Sequence, residues 1–246
     1  MHRFFIEENQ ISQGTIEVSG SDVKHIRDVL RLKVGDLVEA VDQGKVYIGK
    51  IQSIEKNRIT LKIVDKYQGT SESPVNIVLY QGLAKGNKMD LIVQKTIEVG
   101  VKEIFPVSSY RSVVKLKDLQ REQTKVNRWK LIAEEAAKQS KRDIIPKIHS
   151  IISFDEMIEL LKGEKNVIVP YEDEKLNYIG RHMPIRGNTM HLIIGPEGGF
   201  EPFEIEQFKA IGAKIVTLGP RTMRTETAGI VATAILLYEF GDLGVM

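Results

Sequence analysis

The sequence predicts an α/β protein in two parts, a small N-terminal β-barrel followed by a larger domain on a mostly parallel sheet. Three observations carry that prediction. Residues 1–70 alternate short β-rich runs with turn residues, whereas from residue 74 onward continuous apolar strands alternate with helices. The length of 246 residues suits one large domain or two modest ones, and either can bury a real core. The polar stretch "YQGTSESP" at 67–74 reads as the linker, so the expected domains are 1–70 and 74–246.

In the first part "TIEVSG", "DLVEAVDQG", "KVYIGKIQSIE" and "RITLKIVDK" carry period-two patches of Val, Ile, Leu and Tyr broken by Gly, Asn and Asp. Many short strands at this spacing suggest a small barrel. One helix is expected in "SDVKHIRDVLRL", capped by Ser21, with Val23, Ile26, Val29 and Leu30 on one face. In the second part the expected strands are "VNIVLYQGL", "VKEIFPV", "NVIVPYE", "MHLIIGPEGGF" and "AKIVTLGP". The expected helices are "KMDLIVQKTIEVG", "DLQREQTKVNRWKLIAEEAAKQSKR", one from Glu201 and one over 225–240. The last is apolar nearly all round, so it is expected in the centre of the fold or in the contact of a homodimer.

Composition limits the function. Apolar residues are 42% and charged residues 28%, as in an ordinary soluble globular protein. There is no cysteine, which excludes disulfides and thiolate metal sites and fits a reducing cytoplasm. The five histidines are scattered without ligand spacing, so no metal is expected. "MHRFFIEENQ" does not resemble a signal peptide, and no apolar run approaches the roughly 20 residues that span a bilayer. No membrane contact is expected. Charge is uneven: residues 73–147 hold 15 Lys and Arg against 8 Asp and Glu, and residues 148–246 hold 9 against 14. A basic middle suggests an anionic partner on one surface, with a solvated lysine-rich face as the plain alternative.

Ligands of open α/β sheets sit beyond the carboxyl ends of strands. The loop "GPEGGFEPFE" is neither a dinucleotide turn nor a phosphate loop, because Pro196 and Glu197 interrupt the glycines and no Lys-Ser/Thr pair follows. Its glycines permit close approach of backbone to ligand, and its acids favour a neutral or cationic one; a merely tight turn is the other reading. In "LGPRTMRTETAGI", Thr225 is the expected cap of the last helix, with Glu226 in its first turn facing the positive dipole end. Arg224 opposes that dipole and needs a carboxylate partner or a ligand with acceptor oxygens.

With these motifs the chain resembles the SPOUT methyltransferases, and within them the ribosomal RNA uridine-N3 methyltransferases of the RsmE family. "LGPRTMRTETA" and "IIGPEGGFEPFE" carry the resemblance, together with "KMDLIVQKTIEVGV", "SSYRSVV", "RWKLIAEEAAKQSKRDIIPKI" and "HIRDVLRLKVGD" in order along almost the whole chain. Two positions depart from the family pattern: Tyr110 stands where a Glu commonly precedes Arg-Ser, and Glu201 where a Ser follows "GPEGGF". The resemblance implies a PUA-like barrel followed by a SPOUT domain whose C-terminal segment threads a trefoil knot. It implies S-adenosylmethionine as cofactor, held by Pro170, Ile194, Gly195, Gly199, Leu218 and Met223, and a homodimer. The implied substrate is uridine in small-subunit ribosomal RNA, free or within the assembled subunit.

Ring nitrogen 3 of uracil becomes nucleophilic only when its proton leaves. Arg224 is the candidate that stabilises the resulting anion, and Glu226 the nearest candidate base, with water or a backbone-positioned group as alternatives. The RNA backbone would be met by Arg111, Lys115 and Lys117, and by Gln139 and Arg142 on one helix face with Glu135; a helix-stabilising role for that face is the other reading. Trp129, beside Leu131 and Ile132, reads as core. The competing functions are ribose 2′-oxygen methylation on the same scaffold and a non-catalytic RNA-binding factor of ribosome assembly.

Overall fold

The computed structural model describes residues 1–112, 119–180 and 186–244. The chain divides into two compact units, residues 1–72 with 137–145, and residues 73–136 with 146–246.

The first unit is a six-stranded sheet in the order β1-β4-β5-β6-β3-β2. Its strands are β1 (Arg3–Phe5), β2 (Ile11–Ser12), β3 (Thr15–Ser19), β4 (Leu37–Asp42), β5 (Lys45–Ile54) and β6 (Arg58–Gln68). Alternation puts Ile16, Val18, Val38, Ile51, Ile59 and Leu61 into one core with Phe4. Between β3 and β4 lies α1 (Ser21–Lys24), which runs into a π turn over His25–Val29. Two expectations fail here. Ser21 is the first helical residue rather than the cap; the N-cap is Gly20, at φ +73°, with no side-chain cap bond. The π turn, with Leu30 N–H bonded to His25 O, turns Val29 outward to 70% exposure while Val23 and Ile26 stay buried.

Residues 137–145 join this unit through buried charge. Arg3 donates to Glu39 and to Asp143, each at 2.8 Å, and the backbone N–H of Ser71 donates to the other Asp143 oxygen. Lys138 pairs with Asp22 at 2.8 Å, and Arg142 with Glu72. Removal of one partner from such a buried pair strands the other's charge, which costs about 3–5 kcal/mol.

The second unit is a seven-stranded sheet, every pair parallel. In chain order its elements are β7 (Asn76–Gly82), α2 (Lys88–Val99), β8 (Glu103–Ser108), α3 (Leu119–Gln139), β9 (Lys147–Ile148), β10 (Ile152–Ser153) and α4 (Phe154–Leu161). There follow β11 (Val167–Pro170), β12 (Thr189–Ile194), α5 (Pro202–Ala210), β13 (Lys214–Val216) and α6 (Thr225–Phe240). The sheet runs β10-β8-β7-β12-β11-β13, with β9 also on β8. Central strands are apolar throughout because helices cover both faces: α4 and α5 contribute Phe154, Met157, Ile205 and Phe208 to the core on one side. On the other, α6 packs against α2, β7 and β12. Gly100 ends α2 at φ +133°, and a Cβ there would lie 2.7 Å from Leu237 of α6. Trp129 is buried, as core.

Candidate active site

The carboxyl ends of β11, β12 and β13 lie level: Pro170 pairs with Val216, and Ile194 with Gln81 of β7. The loops beyond them wall a cleft of about 340 Å³ whose lining includes Pro170, Ile194, Gly195, Gly199, Met223 and Arg224. Leu218 lines an adjoining recess of about 100 Å³ that shares Pro170, Glu172 and Met223 with the cleft. The six residues nominated for the cofactor therefore line two adjoining hollows.

Two polar devices set the loops. Gln81, fully buried at the end of an apolar strand, donates from Nε2 to Thr225 Oγ1 at 2.9 Å and to Gly82 O at 3.1 Å. Thr225 Oγ1 in turn donates to Gly195 O at 2.6 Å. Thr225 is thus the first helical residue and a pin between three segments, not the cap it was expected to be; Arg224 is the N-cap and makes no side-chain cap bond. The second device is the start of α5. Glu201 and Glu204 form a capping box with Pro202 in the first turn. Arg111 grips the same corner, with Nε 2.8 Å and Nη2 2.9 Å from the Glu201 carboxylate and Nη1 3.0 Å from Gly198 O. Tyr110 stacks edge-on against Phe203, and its N–H reaches Glu204. Burial pushes the Glu204 carboxyl up, against hydrogen bonds from the N–H groups of Glu201 and Tyr110.

The electrostatics centre on Lys88, the first residue of α2. Its Nζ lies 3.0 Å from Glu197 and 3.7 Å from Glu226 Oε2. The hydrogen bond to Glu197 holds the Lys88 ammonium above its usual range. Burial raises the Glu197 carboxyl, but the Lys85 N–H and the Lys88 ammonium outweigh it and hold it below the usual carboxylate range. Glu226 Oε2 is buried and has no hydrogen-bond partner among the described residues. Arg224 is exposed at the cleft, and its guanidinium has neither a hydrogen bond nor an ion pair among the described residues. The carboxylate that its place at a helix N-terminus demands is not found among the described residues.

The residues nominated for RNA scatter. Arg111 is half-exposed and engaged by Glu201. Gln139 is exposed as the last residue of α3. Arg142 does not continue that helix face: α3 has ended, and Arg142 is 4% exposed, with Nε and Nη2 on the Glu72 carboxylate at 3.0 and 2.6 Å. Burial and pairing remove it as an RNA contact. Lys115 and Lys117 lie outside the described residues.

Sequence reasoning missed Gln81, Lys88 and Glu172. A lone Gln at the end of the apolar run "VNIVLYQGL" was a readable signal, since a polar side chain there must find a partner. Lys88 and Glu172 carry no local signal, because their partners come from distant segments.

A parallel sheet with a cleft at the tips of three neighbouring strands is the arrangement in which α/β proteins bind small ligands. Comparison with known families narrows the class. Residues 71–237 match the family described as RNA methyltransferase domain, and residues 18–64 that described as RNA methyltransferase PUA domain. The chain belongs to the RNA methyltransferases and, within them, to the ribosomal RNA small subunit methyltransferase E family. Ribosomal RNA small subunit methyltransferase E of Bacillus subtilis is 32% identical, with 97% of each chain covered. That of Aquifex aeolicus is 32% identical over 96% of this chain and 99% of the relative. The crystal structure of the Neisseria gonorrhoeae enzyme bound to S-adenosyl methionine superposes with a TM-score of 0.87 at 30% identity, covering 98% of this chain and 99% of that one.

Proposed function

We propose that this chain transfers a methyl group from S-adenosylmethionine to ring nitrogen 3 of a uridine in small-subunit ribosomal RNA. The observation that carries the reading is the unpartnered Arg224 guanidinium at the mouth of a cleft that suits the cofactor. The cleft fits on two counts. Gly199 is at φ +67°, and a Cβ there would lie 2.8 Å from Glu172 Oε1, so backbone and carboxylate approach where a side chain would intrude. The lining holds Glu172, whose carboxylate has no ion pair among the described residues and suits a ligand with a cationic centre. Pro170, Ile194, Gly195, Gly199, Leu218 and Met223 would hold it. When bound, the cofactor supplies an electrophilic methyl group on a sulfonium.

The chain's own residues then handle charge and proton. Arg224 faces a carbonyl oxygen of the uracil imide and favours its anion, stabilisation where charge develops. Glu226, whose buried Oε2 lacks a donor, takes the imide proton. Nitrogen 3 is occupied in a base pair, so the target is unpaired or flipped out. The first unit serves as a PUA-like RNA-binding domain, and Arg111, Lys115 and Gln139 remain as proposed contacts to the RNA backbone. The segment after β13 threads a trefoil knot; supporting this, the chain leaves the edge strand and seats α6 on β12 and β7, two and three strands away. The protein acts in the cytoplasm as a homodimer, joined partly by α6, whose Ile230, Val231, Ala234 and Ile235 stay partly exposed and Tyr238 is 58% exposed.

Substituting Arg224→Ala tests this reading. We expect the calorimetric affinity for S-adenosylmethionine to stay within about twofold while kcat on ribosomal RNA falls about 10²- to 10³-fold. Lost cofactor binding with intact methyl transfer at saturation would contradict the assignment.

A further inference from the structure

We propose that Glu172 is the residue by which the cleft distinguishes the charged methyl donor from its uncharged demethylated product; this rests on the cofactor reading above. Glu172 lines both the cleft and the recess. Glu197 is the other carboxylate of the lining, and it is already neutralised, 3.0 Å from the Lys88 ammonium and 3.0 Å from the Lys85 N–H. Glu172 has no ion pair and no side-chain hydrogen bond among the described residues.

Its position is nonetheless held. The N–H of Tyr171, one residue before, donates to Val216 O at 2.9 Å, and Lys175 Nζ donates to Glu172 O at 2.7 Å. The carboxylate lies over the Gly199 turn, where only a glycine leaves it room. The remaining charges of the lining, Lys88, Lys175, Arg221 and Arg224, are all cations. Arg111, engaged by Glu201, interacts with Glu172 through charge alone. A ligand bearing a positive centre therefore meets in these hollows one carboxylate that has no ion pair among the described residues, that of Glu172.

S-adenosylmethionine and S-adenosylhomocysteine share the adenosine, the ammonium and the carboxylate, and differ only in the methyl group and the charge on sulfur. A carboxylate near the sulfur favours the first and leaves the second unaffected. One near the ammonium favours both alike. Because a carboxylate beside the sulfonium stabilises the bound donor more than the transition state, in which that charge is dispersing, its loss raises KM without lowering kcat.

Titration calorimetry on Glu172→Gln, which keeps shape and removes charge, separates these cases. We expect the affinity for S-adenosylmethionine to fall about tenfold while that for S-adenosylhomocysteine stays within about twofold. Sinefungin, which carries an amine in place of the sulfonium, should weaken with the donor. Retained S-adenosylhomocysteine binding is itself the control for folding. Equal weakening of all three ligands, or no change in any, overturns the proposal. Failure of the unsubstituted chain to bind any of them overturns the cofactor reading instead.

Discussion

At the scale of single residues, the site depends on polar groups that the fold either satisfies or leaves open. Thr225 is satisfied twice, accepting from Gln81 and donating to Gly195 O. Thr225→Val keeps the volume and removes both bonds, leaving the part-buried Gly195 carbonyl without its donor. The expected cost is about 1–3 kcal/mol in urea denaturation, accompanied by weaker cofactor binding, because Gly195 belongs to the cleft. Unchanged stability would mean that the hydroxyl is not the pin. Arg224 is the opposite case. Its sequence position alone raised the need for a partner, since a cation at a helix N-terminus is opposed by the dipole. Glu172 and Lys88 were not legible in this way, because their significance lies in charges brought close by folding.

At the scale of elements, the strands of the second unit were readable because both faces are buried and the runs are continuously apolar. The short pieces were not: β1, β2, β9 and β10 have two or three residues, too few to show a period. The expected α1 helix misplaced Val29 because one π turn shifts the register by a residue, and periodicity assumes a uniform helix. The end of α3 misled more seriously. Spacing put Arg142 on the face of Gln139, but Lys141 takes a left-handed φ of +61°, and the chain turns into a buried pair with Glu72. Strand β12 also carries a pH response. His191 is buried beside Tyr80, with Nε2 3.2 Å from Glu164 and Nδ1 without a hydrogen-bond partner among the described residues. Burial lowers its pKa from the ordinary 6.5, and the charges of Glu164 and Glu103 offset this only in part. In that window the unfolded chain binds more protons than the folded one. The contribution of His191 is therefore full above the ordinary value and is lost as pH falls from there through the lower folded value. Unfolding free energies measured from about pH 8 down to about pH 5 should show this loss in the unsubstituted protein and a shallower slope in His191→Gln. Equal slopes would exclude His191 as the source.

At the scale of the whole molecule, the chain forms two compact units. The two-part organisation was legible from the change of rhythm near residue 70, from period-two runs to strands alternating with helices. The return of residues 137–145 to the first unit was not, since it rests on Arg3, Asp143 and Glu72 meeting across long stretches of chain. The full-length likeness to small-subunit ribosomal RNA methyltransferases and the open guanidinium in the cleft converge on one reaction. The most direct test is nucleoside mass spectrometry of small-subunit ribosomal RNA incubated with the purified protein and S-adenosylmethionine. On this reading a gain of 3-methyluridine is expected, and it should be absent with Arg224→Ala. A gain of a 2′-O-methyl nucleoside in its place, or no methylated product on either naked RNA or assembled subunits, would contradict it.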